Sequence, residues 1–416
     1  MHAILASLGT DGDVFPYIAL ADALRRRGHR VTLVASTSYG NVAAQFGLEF
    51  QELMSDRDLD VVLHNPDFWH PIKGPLIASR WGVDFIDQQY ATLAELAADE
   101  DSILVASPAV VAARLVQEKF SRPMATVILQ PWMIKSISAP PVMPGGWTLP
   151  RWTPQLIGRA YWRAVDAVGD LLIARKLNRV RRSIDLKPVR RLFEWWISPE
   201  CILGMFPDWY GQPQDDWPRQ IRIVGFPMFD GTASVELPAD LADFCRVGTP
   251  PIAFTFGTGM MHAQNAYGQA VEACRLLGRR GILLTKYVEQ LPDALPSCVR
   301  HCEFAPFQQL FPECAAIVHH GGIGTTAKAL AAGKPQLILP IAFDQFDNAT
   351  RLKSLGVADW LPRRRRQAGR IAEALADLLT DECRARCRQT AENFGARDAL
   401  EIAADVLEAL ASEHAG

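Results

Sequence analysis

Two parts of the chain repeat one pattern: a short apolar run, a glycine-containing turn, an amphipathic helix and a second apolar run. Ala3–Leu8 is the first such run and ends in Gly9-Thr10-Asp11-Gly12-Asp13. Pro16 then opens a predicted helix through Arg27, with Ile18, Leu20, Ala21 and Leu24 at helical spacing. Gly28 stops it, and His29–Ser36 returns as a strand. The pattern restarts at Pro251–Phe256, which runs into Gly257-Thr258-Gly259, a predicted helix over Ala263–Leu277 and a strand over Gly281–Thr285. Strands joined by helices in this way form a parallel sheet covered on its faces. The expectation is an α/β chain of two Rossmann-like parallel-sheet domains facing across a cleft, and 416 residues suit two domains.

Ser102–Ser107 and Met124–Gln130 read as further strands of the first unit, with a helix over Ala109–Phe120 between them. Residues 131–200 break the pattern, being rich in Trp, Pro and Arg. Within them Leu156–Ser183 reads as amphipathic helix, and helices and long loops over the mouth of the first unit are expected. Ile221–Phe226, then Pro227 and a polar stretch to about Pro238, read as the linker region. In the second unit Ala315–His319 is a strand, Thr325–Ala332 a helix and Pro335–Pro340 a strand. The expected domains are 1–220, 221–395 and a terminal helix in 396–416 that packs back on the first.

A net charge of -3 with interspersed signs gives no reason to expect nucleic acid as a partner. No run reaches the ~18–20 apolar residues of a membrane span. The first apolar run has no basic flank, so no cleavable leader is read and the cytoplasm is the expected location. The eight cysteines contain no Cys-x-x-Cys pair and are read as reduced thiols, with no metal site. Arg179–Arg182 and Arg363–Arg366 read as solvated faces, with peripheral docking on anionic lipid at the inner face of the membrane as the alternative role.

His319-His320-Gly321-Gly322-Ile323-Gly324-Thr325-Thr326 carries the strongest chemical signal. A strand enters three glycines and leaves as a helix. Glycines let backbone N–H groups approach an anion, and a helix start adds about half a positive charge. The threonine hydroxyls and His320 can add hydrogen bonds to phosphate; a plain tight turn is the alternative. The segment lacks the Gly-Lys-Ser/Thr ending of a Walker loop and the third glycine of a dinucleotide fingerprint.

With Ala331-x-Gly333-x-Pro335-Gln336 and Pro340-x-x-x-Asp344-Gln345 downstream, this segment resembles the donor-binding region of the UDP-glycosyltransferase-like superfamily with the GT-B fold. Leu8-Gly9-Thr10-x-Gly12-Asp13-Val14-x-Pro16 is similar to the N-terminal loop of bacterial members. Asp215-Asp216-Trp217-Pro218 and Gly225-Phe226-Pro227-Met228-Phe229-Asp230-Gly231 look closest to the rhamnosyltransferase chain of rhamnolipid biosynthesis. The resemblance covers most of the chain.

It implies an inverting, metal-independent glycosyltransferase without a cofactor. By that likeness Asp13 is the general base, with helix capping as the structural alternative. Thr258, His319, His320, Gly322, Gly324 and Thr325 would hold the donor diphosphate, His320 before His319. Phe304, Ala305 and Phe307 would hold the nucleobase, Phe304 by stacking, and Asp344 and Gln345 the sugar hydroxyls. Gly12 and Trp132 belong to the acceptor loops. Plant-type members carry Trp and Asn inside the glycine motif, whereas this chain has Ile323 and Gly324. That departure favours a bacterial donor, and the likeness to the rhamnolipid chain implies dTDP-L-rhamnose as the leading one, with a UDP-sugar such as UDP-glucose as the alternative. Phe68, Trp69, Trp81, Trp132, Met133, Met143, Trp147 and Trp152 suit an apolar hydroxyl acceptor. A hydroxy fatty acid ester or an aromatic or polyketide aglycone would fit; a non-catalytic nucleotide-sugar binder is the alternative class.

Overall fold

The computed structural model describes residues 1–229, 231, 236–395 and 398–414. Asp230 of the Gly225–Gly231 motif, residues 232–235 of the expected linker, and residues 396, 397, 415 and 416 lie outside them.

The first sheet has seven parallel strands: β1 (His2–Ala6), β2 (Arg30–Ser36), β3 (Glu49–Met54), β4 (Ser102–Ala106), β5 (Met124–Ile128), β6 (Cys201–Gly204) and β7 (Ile221–Ile223). Their order is β3-β2-β1-β4-β5-β6-β7. The second has six: β8 (Ile252–Thr255), β9 (Gly281–Leu284), β10 (Val299–Cys302), β11 (Ala316–His319), β12 (Gln336–Ile338) and β13 (Ala358–Trp360), in the order β10-β9-β8-β11-β12-β13. In both sheets the winding reverses beside the first strand, between β1 and β4 and between β8 and β11. Ligands of such sheets bind outside the carboxyl ends of the strands at these reversals, where the chain places its glycine turns.

Central strands are buried on both faces and read as unbroken apolar runs; β1, β4, β5 and β8 are buried throughout. The edge strands were harder to read. β3 has the sequence Glu-Phe-Gln-Glu-Leu-Met and keeps three residues exposed, so no apolar run marks it. Ile221–Ile223 pairs with β6 as the other edge of the first sheet, so that sheet runs past residue 220 before the linker begins.

The first helix covers Asp11–Arg26 and starts five residues before Pro16. Thr10 is its N-cap, and Asp13 reaches back to the Thr10 N–H at 2.9 Å. This cap begins the helix inside the glycine loop, and Pro16 sits within the helix at the cost of one backbone hydrogen bond. The predicted Leu156–Ser183 helix forms as Gln155–Gly169, a π turn over Asp170–Ala174, and Arg175–Ser183. Arg181 is buried, donating to Glu118 and to the Lys187 carbonyl, so Arg179–Arg182 is not a uniformly solvated face.

The last helix, Ala399–His414, packs on the first. Leu400, Ala403, Ala404, Leu407 and Leu410 share a core with Leu20 and Leu24. Arg27 adds ion pairs to Glu401 at 2.6 Å, Asp405 at 2.8 Å and Glu408 at 3.0 Å. The chain therefore crosses back from the second sheet to the first.

Candidate active site

A cavity of about 720 Å³ lies between the two sheets, lined by the loops that leave β1, β4 and β5 on one side and β8, β9, β11 and β12 on the other. The two walls touch. Phe343, with φ +54°, projects from the second half against Phe68 and Trp69 of the first, at ring separations of 5.2 and 6.4 Å. A non-glycine residue in this left-handed region is strained, and here the strain turns the ring onto the opposite wall.

On the first wall, Gly9 with φ +140° brings its backbone under Asp13, and any side chain at Gly9 would collide with the Asp13 carboxylate. Ser7 Oγ donates to the Asp13 carbonyl at 2.8 Å. Tyr39 Oη donates to Asp11 at 2.9 Å, which occupies the other acid of the loop. Asp13 opens into the cleft, surrounded by both walls, and burial pushes its pKa up to about 6 against the pull of Thr10. Gly12 and Trp132 also line the cavity.

On the second wall, Gly322 is the N-cap of the Ile323–Ala331 helix, whose first turn holds no acid. Gly322, Gly324, Thr325, Thr258 and His320 all border the cavity. The His320 imidazole lies between Gly257 and Gly322, and a side chain at Gly322 would take its place. One ring nitrogen is engaged by the Thr255 backbone, while Nδ1 is buried without a partner. Burial lowers the His320 pKa to about 4, so the ring is neutral near pH 7.

His319 is elsewhere. It is fully buried at the end of β11, outside the cavity lining. Its Nδ1 accepts the Gly321 N–H at 3.1 Å and its Nε2 pairs with Gln336 Oε1 at 2.9 Å. Both ring nitrogens are thus engaged in shaping the turn, unlike those of the expected phosphate partner His320.

Asp344 and Gln345 stand at the end of the β12 loop. Asn348 Nδ2 donates to Asp344 at 2.7 Å and to the Gly321 carbonyl at 2.9 Å, tying this loop to the glycine turn. Burial, and then Asp13 across the cleft, raise the Asp344 pKa to about 7. Gln345 Oε1 accepts the Ile341 and Ala342 N–H groups at 2.6 and 3.0 Å, which leaves its amide nitrogen as the group it can offer. Phe304 is 46% exposed and faces the cavity, while Ala305 is buried beside it. Phe307 borders the same space, but its ring stacks on Phe311 at 4.4 Å.

Of the residues read as acceptor-lining, Phe68, Trp69, Trp81, Trp132 and Met133 border the cavity; Met143, Trp147 and Trp152 do not. The indole N–H groups of Trp81 and Trp132 are buried without partners. Lys286, Tyr287 and Lys328 also line the cavity and were not anticipated. Lys286 and Tyr287 follow β9, and the rule that ligands sit at strand carboxyl ends is the signal that finds them. Among the described residues, no group of three or more His, Cys, Asp or Glu side chains is placed to hold a metal ion.

Residues 3–139 match the glycosyltransferase family 28 N-terminal domain, and residues 282–410 match the erythromycin biosynthesis protein CIII-like C-terminal domain. The chain is a nucleotide-sugar-dependent glycosyltransferase. It is 29% identical to O-mycaminosyltylonolide 6-deoxyallosyltransferase of Streptomyces fradiae, over 98% of this chain and 97% of that one. It is 27% identical to a sterol 3-beta-glucosyltransferase of Arabidopsis thaliana, over 96% of this chain and 64% of that longer one. The spinosyn rhamnosyltransferase SpnG, solved with thymidine diphosphate, superposes with a TM-score of 0.69 at 19% identity, over 98% of this chain and all of that one. The glycosyltransferase thus has the GT-B architecture: two Rossmann-like domains facing across the cleft.

Proposed function

We propose that the enzyme transfers a 6-deoxy sugar, L-rhamnose from dTDP-L-rhamnose, to a hydroxyl of an apolar acceptor, with inversion and without a metal. The observation that carries this reading is the placement of Asp13 opposite the glycine turn across one cavity. The nucleobase stacks on Phe304 with Ala305 beneath it. The diphosphate lies on the Gly322–Thr325 helix start, with Thr258 and His320 beside it; backbone N–H groups and the helix dipole meet its charge. Asp344 accepts from sugar hydroxyls, and the Gln345 amide donates to them.

Asp13 removes the acceptor proton as the acceptor oxygen attacks the anomeric carbon. The bond from that carbon to the phosphate oxygen breaks, and the nucleoside diphosphate leaves onto the glycine turn. Attack comes from the face opposite the leaving group, so the configuration inverts. A carboxyl held near pKa 6 is ionised and still basic at neutral pH, which suits a general base.

The deoxy sugar is supported by two relatives named for 6-deoxyallosyl and rhamnosyl transfer. Relatives named for a tylonolide and a sterol favour a bulky aglycone over a linear hydroxy fatty acid ester. Aromatic walls at Trp69, Trp81 and Trp132 fit such a body. A thermal-shift screen of thymidine, uridine and guanosine diphosphates tests the donor, because bound ligand stabilises the fold by mass action. Thymidine diphosphate should give the largest shift. A flat response to all three overturns the reading.

A further inference from the structure

The helix Gln155–Gly169 and the π turn after it carry an apolar stripe that the fold leaves bare. Leu156 is 79% exposed and Leu171 is 82% exposed. At about 100° per residue, Leu156, Ala160, Ala164, Ala167 and Leu171 share one face, all exposed, with Ile157 and Val168 on its flank. The buried face is the opposite one, where Gly158 packs on Ile137 and Gly169 on Phe193. Trp152, 82% exposed, stands just before the helix.

Arginines border this stripe. Arg151 precedes the helix, and Arg159 and Arg163 lie along its other edge, all exposed. None of the three has a carboxylate in ion-pair range among the described residues. The two acids of the stretch are committed elsewhere: Asp166 is buried against Lys135, and Asp170 accepts the Arg191 and Leu192 N–H groups at 2.9 Å. The surface is therefore apolar and basic with no acid to balance it.

Contiguous apolar surface of this kind marks an interaction site. A shallow, alanine-rich stripe on one convex helix offers a protein partner little to interlock with. Lying flat on a bilayer, it places Trp152, Leu156 and Leu171 among acyl chains and the guanidinium groups among phosphates.

We propose that this helix docks the enzyme peripherally on an anionic bilayer, apolar stripe down and arginines at the phosphates. The inference depends on the surface alone and holds whichever sugar or acceptor the cleft takes. The test is co-sedimentation of the full chain with phosphatidylcholine vesicles, with and without phosphatidylglycerol. Binding is expected only with phosphatidylglycerol and should weaken with salt. The triple variant Arg151→Gln/Arg159→Gln/Arg163→Gln should bind about 100-fold more weakly, from about fivefold per arginine. Trp152→Ser/Leu156→Ser/Leu171→Ser should abolish binding. The melting temperature and far-UV circular dichroism should be unchanged in both variants, which separates lost docking from lost folding. Failure of the native chain to bind phosphatidylglycerol vesicles, or equal binding by the variants, overturns the proposal. So does a native dimer, seen by sedimentation velocity, that Leu156→Ser dissociates without vesicle binding.

Discussion

The Asp13 carboxylate accepts the Thr10 backbone N–H at 2.9 Å while facing the glycine turn across the cleft. One side chain therefore does the structural work of a cap and stands where a base is needed. Capping and catalysis were alternatives in the sequence; the structure shows the cap, and because the first helix begins inside the loop the cap leaves the carboxylate at the cleft, where the proposed base would stand. The cap fixes the carboxylate, and the surrounding walls raise its pKa to about 6.

Asp13→Asn keeps a side chain that can accept from Thr10 but cannot take a proton. Its kcat should fall by about 100-fold or more, the scale of a lost general base, with thymidine diphosphate affinity and melting temperature close to native. In the native enzyme kcat/KM should rise with pH through about 6, as Asp13 ionises. Full turnover by the variant in steady-state assays would remove Asp13 from the chemistry.

Asp344 makes a prediction about stability. Its folded pKa of about 7 exceeds the ordinary 3.8, so the folded chain holds the proton more tightly than the unfolded one. That contribution is fully present below about 3.8 and is lost as pH rises through 7. Asp344→Asn cannot ionise. Without ligand it should melt higher than the native enzyme above pH 7, and the difference should shrink as pH falls toward 4. The same variant should raise the donor KM. A pH-independent difference in melting temperature would contradict the assignment of the raised pKa.

His319 and His320 are adjacent in sequence and opposite in consequence. His319 ties Gly321 to Gln336 inside the core, so His319→Ala should lower the melting temperature. His320→Ala should leave stability near native and raise the donor KM more than His319→Ala does. A diphosphate seated against Gly322 would bring negative charge to the His320 ring, whose pKa burial holds at about 4, and that charge should raise it. Thymidine diphosphate binding near pH 6 should therefore take up protons. Calorimetry in buffers of different ionisation enthalpy measures this, and the uptake should vanish in His320→Ala.

The parallel sheets and the glycine turn were legible because central strands are unbroken apolar runs and Gly321 and Gly322 stand at a strand end. The edge strands were not, since β3 alternates Glu and Gln with Phe and β7 is three residues long. The division of labour between the histidines was also hidden. It depends on Gln336, seventeen residues downstream, and on Gly257 in a different turn, and a local motif contains neither. Asp13 was legible as a residue, but its position at N3 was obscured by Pro16, which suggests a later helix start.

The unpartnered indole N–H groups of Trp81 and Trp132 lead to the acceptor. A buried donor without a partner is costly, and both line the cavity on the side away from the donor turn. An acceptor carrying oxygen atoms along its body would satisfy them, whereas a pure hydrocarbon would not. Trp132→Phe and Trp81→Phe keep the aromatic wall and remove the donor. Each should raise the acceptor KM by about 5- to 10-fold, the size of one net hydrogen bond, with the donor KM unchanged. Steady-state kinetics with each substrate varied in turn make the distinction. A rise in donor KM alone would place these indoles outside the acceptor site.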